Sequence, residues 1–146
     1  MAGEEYDFER CARNRAVHGS ITLSVMHIVV AALILIERAV PVLPPVAVSD
    51  TTIAPFVGFA GKPWMAAVNI ATGASVFIAS QRLSAMWNVV TCSVSGAVML
   101  WWGSLLIIWA QSSRPPASLT SGVLSLICAA GAFILASSWS VRDVDG

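Results

Sequence analysis

Charged residues divide the chain into long uncharged stretches, and this spacing is the main structural signal in the sequence. The four longest uncharged runs contain 21, 19, 31 and 27 residues, at 16–36, 63–81, 83–113 and 115–141. A bilayer core about 30 Å thick requires roughly 20 apolar residues of helix. Each run is long enough for one crossing and too short for two. The pattern therefore predicts an all-α, polytopic integral membrane protein, a four-transmembrane-helix bundle with short tails.

The borders of the predicted spans follow charged and proline-rich segments, because proline cannot continue a helix. We expect the whole chain, 1–146, to form a single membrane domain. Its predicted segments are a polar N-terminal head at 1–15, spans at 17–36, 63–80, 86–110 and 117–139, a loop at 39–62 with prolines and glycines, and a tail at 141–146. Within the loop, 53–60 has the composition of a short re-entrant or interfacial element. The first apolar run is longer than the apolar part of a signal peptide, so we expect a retained anchor.

The distribution of positive charge predicts the orientation of the spans. An even number of spans places both termini on the same side of the membrane. With the termini in the cytoplasm, the inner face carries five basic residues and the outer face three: Arg10, Arg13, Arg15, Arg82 and Arg142 against Arg38, Lys62 and Arg114. Cytoplasmic segments carry an excess of Lys and Arg. We therefore expect cytoplasmic termini.

Small residues recur at intervals of three and four in the predicted spans, which places them on one helix face. Such stripes allow helices to approach closely inside lipid, where apolar side chains alone drive no association. The candidate helix-packing residues are Gly73, Gly96, Gly103, Gly122 and Ser125. Packing within one chain and a seam between identical chains both fit this pattern, and packing within the chain is favoured.

Two polar side chains, His27 and Asn69, lie well inside predicted spans. Intramembrane ionisable groups are functional candidates by default. A proton relay at His27 would need a carboxylate partner, however, and the predicted spans contain no Asp or Glu. We expect a structural role, in which His27 forms a hydrogen bond with Asn69, Thr72 or a backbone carbonyl.

The composition of the chain excludes several classes of protein. Apolar residues make up 57% of the chain and charged residues 11%, with a formal net charge of zero. Soluble domains carry about 25% charged residues, so a soluble enzyme, a nucleic-acid binder and a disordered chain are excluded. The sequence shows no catalytic, cofactor-binding or metal-binding motif. The cysteines lack metal-site or redox spacing, and Cys11, beside the inner arginines, is a candidate acylation site.

Several short motifs indicate a family. They are Gly19 with Met26-His27-Ile28, Pro63-Trp64, Gly73-Ala74-Ser75, Ala79-Ser80-Gln81-Arg82, and Asn88 with Cys92-Ser93 and Gly96. Through them the segment 19–110 resembles the membrane-spanning four-domains family, the relatives of the B-lymphocyte surface antigen. The resemblance implies a non-enzymatic membrane protein that oligomerises or assists channels and receptors. The link between spans three and four is much shorter than the family's, which argues against a ligand-binding ectodomain.

The sequence thus predicts a non-enzymatic four-span protein that acts through helix association, as a scaffold or as an oligomer associated with a channel or receptor. Its expected partners are the lipid bilayer and either itself or another membrane protein, without nucleic acid. An alternative is a holin-like or small pore-forming membrane protein of a phage. A small transporter is less favoured, because the predicted spans lack a carboxylate that could couple transport to protons.

Overall fold

Four helices make up almost all of the chain that the computed structural model describes, which covers residues 2–39, 63–82, 85–112 and 119–140. These helices are α1 (Ala2–Ala39), α2 (Pro63–Arg82), α3 (Ala85–Ser112) and α4 (Thr120–Ser140). Each is long and apolar enough to cross a membrane, over Arg13–Ile36, Pro63–Gln81, Ala85–Gln111 and Gly122–Ser140. The described ranges contain no strand. The prediction of an all-α chain with four candidate spans is confirmed.

The helix bounds differ most from the predicted segments at the N-terminus. No helix is predicted for the polar head at 1–15. In the structure this segment is helical from Ala2 onward and continues into the first span. Its first turn carries Glu4 and Glu5, and negative charge near the N-terminus of a helix is favoured by the helix macrodipole. Arg82, which lies beyond the end of the predicted span at 63–80, is the last residue of α2. The segments 40–62, with the predicted element at 53–60, and 141–146 lie outside the described residues.

The helices form a ring in which consecutive helices run antiparallel. Ser24 and His27 of α1 contact Gly73 and Asn69 of α2 respectively, so the pairing runs in opposite directions along the two helices. The same reversal relates the other neighbouring pairs, and a contact between α1 and α4 closes the ring. The most extensive interfaces are those of α3 with α4 and of α1 with α2, whereas α1 and α4 touch least. This difference leaves the α1/α4 side of the bundle the most open.

The bundle differs from a soluble protein mainly in its outer surface, which is apolar, while its interior contains both polar and apolar residues. Buried polar residues line the inside of the bundle: Ser20, Ser24, His27, Asn69, Thr72, Ser80, Asn88, Ser95 and Ser125. Large apolar side chains face outward, among them Leu33, Ile127 and Ile134, each at least 60% exposed. Soluble proteins bury such residues and rarely expose large contiguous apolar surfaces. An exterior of this kind suits contact with lipid tails.

The apolar core is divided into two clusters. One lies at the level of Ala16 and Leu23 in α1, and packs against Trp139 at the end of α4. The other lies at the level of Ala31 and Ile34 in α1, and includes Met65 of α2. His27 falls between the two levels on α1 and is fully buried. A polar layer therefore separates two apolar layers along the axis of the bundle.

Glycines permit the closest contacts between helices. A Cβ atom added at Gly73 would lie 3.0 Å from His27 Cβ, and one at Gly96 would lie 2.9 Å from the Phe133 ring. Between α3 and α4, Gly103 and Gly122 face each other, and a Cβ at either would lie within 3.1 Å of the other's carbonyl oxygen. These four residues thus lie between helices of the same chain.

The contact at Gly122 leads to a stability prediction. A leucine there would collide with Ile107 and the α3 backbone, so Gly122→Leu should lower the free energy of unfolding by about 1–3 kcal/mol, the usual cost of overpacking. Val123 is 47% exposed, so Val123→Leu serves as the matched control and should change stability little. Thermal unfolding in detergent measures both. Equal stability of the two variants would contradict the packing role of Gly122.

Candidate functional site

A hydrogen-bonded cluster of three side chains from three helices lies in the polar layer. Nδ1 of His27 in α1 lies 2.8 Å from Oδ1 of Asn69 in α2. Nε2 of His27 lies 2.7 Å from Oγ of Ser95 in α3. All three residues are at most 1% exposed. The imidazole thus connects three helices in the interior of the bundle, out of contact with bulk water.

The partners of Asn69 assign the protonation state of the imidazole. The Asn69 amide nitrogen donates a hydrogen bond to the Met65 carbonyl, 2.9 Å away, which directs its Oδ1 toward His27. An amide oxygen can only accept, so Nδ1 of His27 carries a proton and donates it. Nε2 can then accept a hydrogen bond from the Ser95 hydroxyl. The cluster is complete with a neutral imidazole, and it requires no buried charge.

Further polar contacts join the helices on either side of this cluster. Ser24 Oγ donates to the Gly73 carbonyl at 2.7 Å, and Ser125 Oγ donates to the Met99 carbonyl at 2.9 Å. Closer to the N-terminal end of α1, Trp139 Nε1 donates to Ser20 Oγ at 3.4 Å. The Asn88 side-chain amide donates to the Ala79 carbonyl at 3.1 Å. Most of the buried polar side chains of the described residues therefore connect neighbouring helices, whereas Thr72 and Ser80 donate to carbonyls of their own helix.

The order Ser95–His27–Asn69 is that of a nucleophile, a base and a group that orients the base. The structure brings these three residues together with an amide, and not a carboxylate, in the third position. Hydrolysis also requires access for a substrate and donors that stabilise an oxyanion. Ser95 is 0% exposed, and backbone N–H groups inside a helix donate to its own carbonyls. The arrangement supports helix association better than it supports acyl transfer.

The other predicted residues do not belong to this hydrogen-bonded cluster, although Gly73 borders it. Among the predicted packing residues, Ser125 contacts α3, and Gly73 lies against His27 itself. Cys11 is exposed on α1, and Arg15 Nη2 donates to its Sγ at 3.4 Å. The described residues contain no group of three or more His, Cys, Asp or Glu side chains arranged to hold a metal ion.

Ser95 is a cluster residue that the sequence interpretation missed. Its prediction for His27 named Asn69, which is present, and Thr72, whose hydroxyl instead donates to the Val68 carbonyl of its own helix. A usable signal existed for Ser95, because it lies three residues after Cys92 and therefore one turn along the same face of α3. The pairing across helices depends on rotation about the helix axes, which the sequence pattern does not define.

Comparisons of the chain with protein-family models, with curated proteins and with solved structures found no match. The geometry of the described residues therefore carries the functional argument.

Removal of the Ser95 hydroxyl tests the structural role of the cluster. Ser95→Ala should lower the free energy of unfolding by about 0.6 kcal/mol, the average for a hydrogen bond between membrane helices. Ser104→Ala is the matched control, because Ser104 Oγ donates to the Leu100 carbonyl of its own helix. Unfolding of the purified protein in mixed micelles measures the difference. Covalent labelling of Ser95 by an alkyl fluorophosphonate, which reacts with accessible activated serines, would contradict a purely structural role.

Proposed function

We propose that the chain is a multi-pass integral membrane protein, without enzymatic activity, that acts through helix association. In this proposal the four helices cross the bilayer, both termini lie in the cytoplasm, and the protein serves as a scaffold for further copies of itself or for another membrane protein. The lipid bilayer is its solvent, and nucleic acid is not a partner.

The exposure of many large apolar side chains on the outer surface of the bundle is the observation that carries the proposal. Exposed Leu33, Ile127 and Ile134 have no favourable place in water, whereas lipid tails solvate them without cost. Trp87, 63% exposed near the start of α3, is the kind of residue that is enriched at a membrane–water interface. Hydrogen bonds between helices satisfy the buried polar side chains of the central cluster. The surface left for partners within the membrane is therefore apolar.

The neutral His27 cluster supports a role other than catalysis or proton transport. A relay needs a group that gains and loses a proton at the site, whereas here Asn69 and Ser95 already complete the hydrogen bonds of a neutral imidazole. The resemblance of 19–110 to the membrane-spanning four-domains family agrees with a protein that oligomerises or assists channels and receptors. A pore formed by one bundle is less favoured, since Met65, Val76 and Met99 fill its centre.

Cysteine accessibility tests the proposed orientation. Cys11 is exposed, whereas Cys92 is fully buried, so an impermeant maleimide should react with Cys11 alone of this pair. With the termini in the cytoplasm, we expect no labelling of Cys11 in intact cells and complete labelling after the membrane is opened. A variant carrying Cys11 as its only cysteine removes any contribution from Cys128. Labelling of Cys11 in intact cells would contradict this topology.

Reconstitution into vesicles separates the scaffold from a pore. Copies labelled at Cys11 with donor and acceptor dyes should retain energy transfer when the protein is diluted with lipid, because association does not depend on crowding. A dye trapped in the same vesicles should stay inside. Loss of energy transfer to the level of random proximity would contradict self-association, and release of the trapped dye would favour the holin-like alternative.

A further inference from the structure

A groove open to the side runs between α1 and α4, the pair of neighbouring helices with the least contact. Along the first half of the candidate span Arg13–Ile36 it forms a cavity of about 370 Å³. The cavity is lined mainly by apolar and small side chains: Gly19, Thr22 and Met26 of α1, and Cys128, Gly131 and Leu135 of α4. A second cavity of about 340 Å³ shares Met26 and Cys128 with the first, so the two adjoin.

Gly131 differs from the glycines that lie between helices. A Cβ atom added there would meet no atom within 4 Å, whereas one added at Gly19, Gly96 or Gly122 would lie within 3.0 Å of a neighbouring side chain. Packing within the chain therefore does not require glycine at position 131. Its effect is to keep one wall of the groove open.

A positive charge lies at the N-terminal end of the groove. Arg15 precedes Gly19 by four residues, and Gly19, Thr22 and Met26 follow at intervals that keep all of them on one face of α1. The Arg15 side chain is exposed. A guanidinium presents several N–H donors in a fixed plane, which suits it to bind the oxygens of a phosphate. The groove thus combines an apolar wall with an anion-binding group at its mouth.

The length of this half of the groove matches one leaflet of a bilayer. Arg15 and Met26 are eleven residues apart, or about 16 Å along a helix with a rise of 1.5 Å per residue. One leaflet contributes about 15 Å to a hydrocarbon core about 30 Å thick. When Arg15 lies at the level of the lipid headgroups, Met26 therefore lies close to the middle of the bilayer.

We propose that this groove binds one anionic phospholipid, with its phosphate on Arg15 and one acyl chain against Thr22, Met26 and Gly131. The proposal rests on the membrane insertion proposed above. An acyl chain fits better than a helix of a second copy, because a helix with its side chains is about 10–12 Å wide. A symmetric pair of copies joined along this face of α1 would also bring two Arg15 charges together, which an anionic lipid would instead neutralise.

The experiment uses the full chain in vesicles of phosphatidylcholine that contain a minor fraction of phosphatidylglycerol. After mild extraction, native mass spectrometry counts the lipids that remain bound to each protein. We expect one phosphatidylglycerol retained in preference to phosphatidylcholine. Arg15→Gln should weaken that preference by about fivefold or more, the value of one basic residue near a lipid headgroup. Arg13→Gln, which removes an equal charge from another face of α1, should retain it.

Filling the groove provides an independent test. Gly131→Leu places a side chain in open space, so the variant should fold and lose the bound phosphatidylglycerol. Ala130→Leu adds a side chain at an exposed position beside the groove, and it should retain the lipid. Circular dichroism verifies that both variants are folded. If Gly131→Leu fails to fold, the pair of arginine variants decides the question.

The outcomes separate this inference from the proposed function. Flotation with the vesicles after an alkaline wash reports membrane insertion by itself. A protein that floats but retains both lipids equally would overturn the lipid site and leave the proposed function intact. Equal losses in Arg15→Gln and Arg13→Gln would also overturn it, since the preference would then reflect total charge. A dimer that Gly131→Leu abolishes, without any lipid preference, would show that a second copy occupies the groove.

Discussion

A buried polar group in this bundle has to find its hydrogen-bond partners within the protein, and this constraint governs how the helices are arranged. His27 is the largest polar side chain of the interior, and it lies where neither water nor lipid tails offer a partner. Asn69 from α2 and Ser95 from α3 satisfy its two nitrogens. Because both contacts are shorter than 3 Å, they define the rotation and the axial position of three helices relative to one another.

Close approach of the helices makes these short contacts possible. Gly73 lies directly against His27, and any Cβ at that position would lie 3.0 Å from the Ser24 carbonyl oxygen. A larger residue would move α2 away from α1 and lengthen the bond between His27 and Asn69. The small residues and the polar cluster are therefore parts of one packing arrangement. The interface between α1 and α4 contains fewer such contacts, which explains why the bundle is most open there.

The sequence predicts the parts of this fold that depend on one helix at a time. The spacing of charges gives the number of helices, and the three- and four-residue steps give the faces that become buried at Ser20, Ser24 and Ala31. It does not predict that α1 begins at Ala2, because the hydrophobic signal starts only after Arg15. Nor does it predict Ser95 as a partner of His27, or the α1/α4 groove. Those features depend on how two helices are rotated and separated, which the pattern within either helix leaves undefined.

The rotation of each helix about its own axis also determines what the polar cluster can do. Ser95, His27 and Asn69 have the connectivity of a hydrolytic triad, but in hydrolases the nucleophile borders a cleft where a substrate and donors to an oxyanion can meet it. Here the serine faces the packed centre, is 0% exposed, and does not line either of the two cavities described above. The identical side chains on a helix rotated by half a turn would be open to the surroundings of the bundle. The orientation of these side chains toward the packed interior, more than their residue types, thus favours a structural role for the cluster.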